Sequence, residues 1–566
     1  MYLNNPAPLP VNSNPGMVFP PRRFSSREDA ARFAARFIVG VVAHKCIVDR
    51  MALPVERATS REKGQPLCMA QYYRLLSAHR QPGRSNDQLI VREQRQHQDE
   101  HIVVMCANQM YALPVKSSDR GPVSEADLYA QLLHILGEVP SLPQAPPVGL
   151  LTSERRDVWA RVKDSLSADA QNRLNLDILQ GALLVLCLDT PLPTNFNCRA
   201  LRSETHGHVV GDRDETNMAH QMLHGGGSTA NGANRWYDKT VQIVVSSDGV
   251  CGLCYEHSPS EGVAVIQLVE DVLKKCESNL PPVQPTNHST LTSPHRMQWV
   301  LDQNAFHSME EAARNLDSSV EDLDFYVYRF MGYGKEFIKK CQVSPDVYIQ
   351  LALQLAYYRL NRRLVATYES ASTRRYLLGR VDCIRSATCE ALEWVTTMCQ
   401  DASGATSGAE SDDDLLQTGK KVSFSLFDQQ KKLDLFDMAV KKQTDVMIQN
   451  ILGQGIDIHL LGLREMAKEL EEPIPELFQD EVYRIANHFA LSTSQVPTSL
   501  DSFMGYGPVV PDGYGASYNP KKDSIVFCLS AFNSCESTST WKFAQSLETS
   551  LYMMQELLSK RPNNPA

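Results

Sequence analysis

No stretch of this chain approaches the roughly 18 to 20 consecutive apolar residues that a membrane-spanning helix needs, so no integral membrane segment is expected. Positive charge is not in excess either. Lys and Arg number 56 against 66 Asp and Glu, a formal net charge of −10. That balance argues against a general binder of nucleic acid or anionic membranes. The opening residues, Met1-Tyr2-Leu3-Asn4-Asn5-Pro6, hold neither the basic stretch nor the apolar core of a secretory signal. The closing Pro562-Asn563-Asn564-Pro565-Ala566 is no organelle address. The 14 cysteines form no paired framework, and several, such as Cys187 and Cys528, lie inside apolar runs, which suits reduced thiols. A cytoplasmic protein is expected. No internal repeat is visible.

Two further absences bear on chemistry. Cys251 and Cys254 form a C-x-x-C pair with His257 three residues on. No second such pair and no H-x-x-x-H follows at zinc spacing, and strand residues three apart face opposite sides. No metal is expected. Gly225-Gly226-Gly227 has no Gly-Lys-Ser or Gly-Lys-Thr behind it. It reads first as a loop that lets Arg235 and Trp236 pack close to a sheet, and second as a phosphate cradle.

What is present centres on His257. Two apolar runs, Val241 to Val245 and Val250 to Tyr255, flank Ser246-Ser247-Asp248-Gly249 and read as a hairpin. Ser258-Pro259-Ser260-Glu261 follows, then the helical run Val263 to Lys275. Ser258 as N-cap, Pro259 in the first turn and Glu261 closing a capping box would start that helix. His257 then sits at a seam between strand end and helix start, which suits a general base near neutral pH. The same residues suit a hydrogen-bonded histidine beside an ordinary cap. Glu261 shares the ambiguity: it can cap the helix, or hold the imidazole from four residues away.

At 566 residues the chain is long enough for two large domains. Residues 1–20 are rich in proline and asparagine and read as an extended lead-in. Helices are expected from Ser26 to about Asp49, over 166–181, from Val347 to Thr367, from Lys432 to Leu452 and from Trp541 to Leu558. Strands are expected within 101–113, over 183–189 and from Ser524 to Ser530. The polar 276–304 segment, with Pro281, Pro282, Pro285 and Pro294, is the best domain junction. Residues 21–302 and 303–566 are then two mixed α/β domains, and residues 401–421 a small, acidic, disordered insert in the second. Interfaces between such domains commonly hold ligand sites.

Three more groups can carry chemistry. Lys335, Lys339 and Lys340 offer two ammonium groups four apart, which on a helix would share a face and could hold a phosphate, and otherwise form a solvated basic face. Ser492-Thr493-Ser494 could donate to an oxyanion or satisfy backbone groups. Tyr2, Tyr368 and Tyr506 could enclose a quaternary ammonium if they converge, and are core aromatics otherwise.

Taken in order, these pieces resemble the choline/carnitine acyltransferase family over nearly the whole chain. The resemblance rests on His224-Gly-Gly-Gly, Asn231-Gly-Ala-Asn-Arg-Trp-Tyr-Asp-Lys239, Glu256-His257-Ser258-Pro259 and Tyr333-Gly-Lys-Glu-Phe-Ile-Lys-Lys340. It continues through Ser344-Pro345-Asp346, Thr367-Tyr-Glu-Ser-Ala-Ser372, Gly379-Arg-Val-Asp-Cys-Ile-Arg-Ser386, Leu491-Ser-Thr-Ser-Gln-Val-Pro497 and Gly507-Pro508-Val509-Val510.

The resemblance implies a two-domain α/β fold of the CoA-dependent, chloramphenicol acetyltransferase-like kind, with an active-site tunnel between the domains. It implies acetyl transfer from acetyl-CoA as co-substrate, with no permanently bound cofactor. His257 matches the family's base, Glu261 the acid that orients it, and Ser494 the oxyanion donor. Lys335 and Lys339 match the lysines near the CoA 3′-phosphate. Asp346 falls near the pantetheine and adenine, and Arg380, Ser372 and Gln495 also fall on the CoA side. Tyr2, Tyr368, Val381, Cys383, Ile458 and Tyr506 match the alcohol pocket. The chain begins where the family has already passed several helices, so a truncated N-terminus is expected. A monomer, placed by the family in the nerve-terminal cytoplasm, is implied.

The alcohol is read from two positions. Carnitine enzymes of the family carry threonine in a Gly-Arg-Thr motif and arginine before His-Leu-Leu, both meeting the carnitine carboxylate. Here the residues are Val381 and Ile458. A carboxylate there would lose its hydrogen-bonded cation, at a cost on the order of several kcal/mol. Choline has no carboxylate, so the pattern favours choline and the product acetylcholine. Choline enzymes carry asparagine where this chain has Cys383 and Ile458, which alters the polarity around the alcohol.

Overall fold

The computed structural model describes residues 2–59, 62–92, 99–119, 121–196, 213–277, 283–285, 293–400 and 418–561, the side chains of 418–427 excepted. The chain divides into two compact units. The first comprises Met1–Val327, Tyr376–Leu378 and Val496–Gly507; the second comprises Tyr328–Arg375, Gly379–Gln495 and Pro508–Ala566. The division thus falls after Val327, not at the expected residue 302. The helix Gln303–Asp322 belongs to the first unit because Ala312, Leu316 and Val320 pack with Leu150 and Ala233 there. Most of the expected insert, residues 401–417, lies outside the described residues, and residues 418–421 open the long helix Thr418–Ile451.

The first unit is built on a nine-stranded sheet. Its middle runs Glu100–Cys106, Val185–Asp189, Val241–Ser246, Cys251–Tyr255, Gly16–Val18 and Phe503–Gly505. The expected hairpin is present, with Val241 opposite Tyr255 and Val245 opposite Cys251. Gly249 has φ +103°, and a Cβ there would lie 2.3 Å from the Arg22 carbonyl oxygen, so this turn requires glycine. The lead-in is less loose than its composition suggested. Gly16–Val18 pairs with Cys251–Tyr255 on one side and with Phe503–Gly505 on the other.

Both faces of this sheet are covered. Cys251, Leu253 and Tyr255 point into a core shared with the helices Arg27–Asp49, Glu125–Glu138 and Gly262–Cys276. Phe37, Ile38, Val41, Leu132, Val269 and Leu273 are among the side chains buried in it. Full burial of each such residue contributes about 1.5–3 kcal/mol against exposure. On the other face, Cys254 packs with Leu9 and Tyr237. Cys251 and Cys254 therefore point in opposite directions, as strand alternation requires, and burial raises both thiol pKa values, Cys254 to about 12. Ser26 caps Arg27–Asp49 by accepting from the Asp29 N–H, as its position before a helical run predicts.

The second unit centres on a six-stranded sheet in the order Leu323–Phe330, Ile525–Phe532, Tyr514–Pro520, Leu491–Gln495, Thr367–Ser372 and Val381–Arg385. The chain passes from the first unit to the second within Leu323–Phe330. Helices Pro345–Asn361, Cys389–Gln400, Thr418–Ile451 and Thr540–Ser559 pack in this unit. The expected Val347 to Thr367 helix stops at Asn361, where Arg362 turns left-handed at φ 55°, and Thr367 already belongs to a strand. The two halves are thus mixed α/β units with large sheets. Among the described residues, no helix is long and apolar enough to cross a membrane.

Candidate active site

His257 follows the strand Cys251–Tyr255, and the next helix begins at Gly262, three residues later than its sequence signals suggested. The reason is Glu256. Its buried carboxylate accepts from the Ser258 N–H at 3.1 Å and the Ser258 hydroxyl at 2.6 Å, which draws Ser258 and Pro259 into a turn instead of a helix. Glu261, not Ser258, is the N-cap residue, and its side chain makes no capping bond. The Glu261 N–H donates instead to Gln71 Oε1 at 2.8 Å. The Glu261 carboxylate turns to His257, with Oε2 3.5 Å from Nε2. Both side chains are mostly buried, at 17% and 14% exposure. Of the two readings open for Glu261, a capping-box acid or a partner of the imidazole, the geometry has the second.

Two aromatic rings stack on the imidazole: Tyr2 at 5.2 Å between centroids and Tyr255 at 5.4 Å. Tyr255 is there because residues two apart on a strand share a face. Tyr2 arrives from the other end of the sequence, held by a buried ion-pair network. Arg80 donates to Asp87, to Glu256 and to the Tyr2 carbonyl, at 2.7, 3.1 and 2.7 Å. The Asp87 N–H donates to the Leu3 carbonyl at 2.8 Å. Arg156 joins Asp87 to Asp238, at 2.7 Å each, and Trp159 Nε1 also donates to Asp238. Burial pushes the Asp238 carboxyl up and drives His79 well below the imidazole range. Nothing local in the sequence marked Arg80 or Gln71, and Glu256 stood in a motif without a role of its own. The available signal was an arginine in the short strand Ala78–Gln81, just before the Pro82-Gly83 turn.

Tyr506 directly follows Phe503–Gly505, the strand next to Gly16–Val18 in the same sheet. The triple glycine takes the structural course: Gly225, Gly226 and Gly227 all have positive φ and end the helix Glu215–His224. Behind it, Arg235 is fully buried, donating to both Asp189 oxygens at 2.8 and 2.7 Å.

In the second unit, strand register gathers predicted residues on one face. Ser372 lies opposite Val381, Ser370 opposite Cys383, and Tyr368 beside Ser492. Tyr368, Ser372, Val381, Cys383 and Ser494 therefore share a face. Tyr368 also packs edge-on against Phe489 at 5.5 Å. Cys383 is buried, and burial raises its thiol pKa to about 12. Ile458 is 43% exposed in the first turn of Asp457–Glu469, its N–H donating to Asp382 at 3.3 Å. Arg380 precedes Val381, and its carbonyl accepts from the Thr373 N–H at 3.0 Å. Gln495 ends its strand exposed to solvent.

The opposite face of that sheet holds a hydrogen-bond network of mostly uncharged groups that ends on the Asp346 carboxylate. Thr493 donates to the Tyr368 carbonyl at 2.8 Å. Gln350 donates to both Thr493 and Tyr518 at 2.9 Å. Tyr518 in turn donates to Asp346 at 2.5 Å. Asp346, expected beside pantetheine and adenine, thus has one oxygen committed to Tyr518. Glu369 accepts from Ser386 and Gln443. Burial first, and the Asp346 carboxylate second, push the Glu369 carboxyl well above the ordinary range.

Lys335 and Lys339 both lie on the short helix Lys335–Lys340, the case in which residues four apart share a face. The helix abuts the turn at Lys521 and Lys522 through Gly334, where a Cβ would lie 2.5 Å from either carbonyl oxygen. No group of three His, Cys, Asp or Glu among the described residues could hold a metal ion.

The family model for choline/carnitine O-acyltransferases matches residues 1–549. The chain belongs to this family. It is 54% identical over 562 residues to a choline O-acetyltransferase of Drosophila melanogaster, covering 99% of this chain and 78% of that one. A choline O-acetyltransferase of Mus musculus is 43% identical over 564 residues, covering 99% and 82%. A carnitine O-acetyltransferase of Columba livia is 39% identical over 567 residues, covering 100% and 83%.

Proposed function

We propose that this chain transfers the acetyl group of acetyl-CoA to choline, making acetylcholine by direct attack with no covalent acyl-enzyme. The observation that carries this reading is His257 at its seam, 3.5 Å from Glu261 and stacked by Tyr2 and Tyr255, in a member of this family. An alcohol is a poor nucleophile at neutral pH, so His257 takes its proton as the oxygen attacks the thioester carbonyl. Glu261 holds the imidazole in orientation. Ser494 donates to the carbonyl oxygen as negative charge grows on it, and the choline cation assists through its own charge. His257 then returns the proton to the departing CoA thiolate.

In the same reading, Lys335 and Lys339 take the CoA 3′-phosphate, while Ser372, Arg380, Asp346 and Gln495 line the CoA side. Tyr2, Tyr368, Val381, Cys383, Ile458 and Tyr506 surround the alcohol. The protein acts as a monomer in the cytoplasm of nerve terminals, without a resident cofactor.

Choline is favoured over carnitine because Val381 and Ile458 offer no donor or cation to a carboxylate. That the similar fly and mouse proteins are both choline O-acetyltransferases supports the same reading. The test is acetyl transfer from acetyl-CoA to choline and, separately, to L-carnitine, comparing kcat/KM. A preference for choline of about a hundredfold or more, near 2.7 kcal/mol, is expected. A preference for carnitine would overturn the reading of Val381 and Ile458.

A further inference from the structure

Arg80 is 1% exposed and unusually committed. Its Nε donates to Asp87 at 2.7 Å and its Nη1 to Glu256 at 3.1 Å. Its Nη2 donates to the carbonyls of Tyr2 at 2.7 Å and Asn5 at 3.4 Å. One planar group thereby joins two segments that meet at the imidazole. Glu256 precedes His257 and folds the Ser258 turn; Tyr2 stacks its ring on the imidazole at 5.2 Å. The N-terminal segment has further ties to the same network, through Asp87 to Leu3 and through the Arg156 N–H to the Pro6 carbonyl at 3.0 Å. Tyr2 as a residue remains 36% exposed, so its place depends on backbone anchoring more than on burial.

We propose that Arg80 is a positioning residue for the reaction: it locks the Tyr2 ring and the Glu256–Ser258 turn around His257, and so sets both the base and the alcohol pocket. The inference rests on the reading of His257 as general base. Lysine keeps the charge at this position, but its single ammonium cannot reach Asp87, Glu256 and Tyr2 in the fixed fork that a guanidinium presents. Misplacement of reacting groups by about 1 Å can cost on the order of a hundredfold in rate.

The experiment is a double-mutant cycle of Arg80→Lys and Tyr2→Ala, read as kcat and as KM for choline and for acetyl-CoA. Arg80→Lys is expected to lower kcat by about tenfold or more and to raise the choline KM severalfold, with the acetyl-CoA KM held within about twofold. A loss of folded enzyme alone would leave both KM values unchanged. Because the two residues act as one unit, the double variant should fall within about twofold of the worse single one. Effects that multiply, or an unchanged choline KM in Arg80→Lys, would overturn the proposal. Should Arg80→Lys fail to fold, Glu256→Gln takes its place in the same cycle. The amide keeps an oxygen for Arg80 and a polar group for the Ser258 hydroxyl while removing the charge, and the same outcomes decide. His257→Ala is assayed alongside. Turnover that survives it removes the base reading itself, whereas its loss beside a multiplying cycle overturns the role of Arg80 alone.

Discussion

Around His257 the polar interior is held by opposite charges; beneath Ser494 it is held mostly by hydrogen bonds among uncharged groups. In the first unit Arg80 and Arg156 are threaded between Asp87, Asp238 and Glu256, all nearly inaccessible to water. A second buried quartet, Lys45 and Lys116 with Asp49 and Glu100, repeats the pattern. In the second unit Gln350, Thr493 and Tyr518 are uncharged, and the Glu369 carboxyl is held toward its protonated form. The ion pairs tie together chain segments far apart in sequence, Arg80 and Glu256 being 176 residues apart, where strong directional bonds must offset poor local order. The second network also spans distant segments, tying the helix Pro345–Asn361 to the sheet through Gln350 and Asp346, but it does so with mostly uncharged partners.

The comparison breaks most visibly at Arg156. Arg156→Met leaves Asp87 and Asp238 buried with less compensation, and about 3–5 kcal/mol should be lost in equilibrium denaturation. A loss under about 1 kcal/mol would mean that the network contributes little. The parallel lesion in the second unit is Gln350→Leu, which removes one donor from each of two hydroxyls that still donate elsewhere. It should cost about 1–2 kcal/mol by the same measurement. Equal losses in the two variants would erase the distinction between the regions.

The smallest expected effect sharpens the comparison through pH. Glu369 binds its proton more tightly folded than unfolded, because burial and then Asp346 raise its pKa. Its contribution is therefore fully present below the ordinary carboxylate range and fades as pH rises through the folded value. Glu369→Gln mimics the protonated acid, so its stability should fall less steeply with pH above about 5, by up to ~1.4 kcal/mol per pH unit. Parallel stability curves for the two proteins would show that Glu369 is already ionised in the folded state.

Local chemistry made part of this structure legible. The Ser-Ser-Asp-Gly turn placed the His257 hairpin, and the Ser25-Ser26 pair placed a helix start. Each of those signals acts within a few residues. The start of the helix after His257 was misplaced because Glu256, preceding the expected cap, captures Ser258 from outside the helix. The sheet position of Gly16–Val18, and the return of residues 496–507 to the first unit, leave no periodic trace, since each strand is only three residues long. Arg80 and Gln71 were invisible because the groups they hold near His257 lie far along the chain: Glu256 is 176 and Tyr2 is 78 residues from Arg80, and Glu261 is 190 from Gln71. The resemblance to the acyltransferase family named His257, Glu261 and Ser494 without explaining how any is held. The holding of His257 and Glu261 is what the buried polar groups add.

The most direct test of the account is the single-turnover rate of acetyl transfer from acetyl-CoA to choline in His257→Ala, beside the unmodified enzyme and with acetyl-CoA binding measured on both. Loss of the base should lower the rate by about a hundred- to ten-thousandfold, with acetyl-CoA affinity within about twofold. A rate within a few-fold of the unmodified enzyme would contradict the assignment of His257, and with it the functional reading of the site built around it.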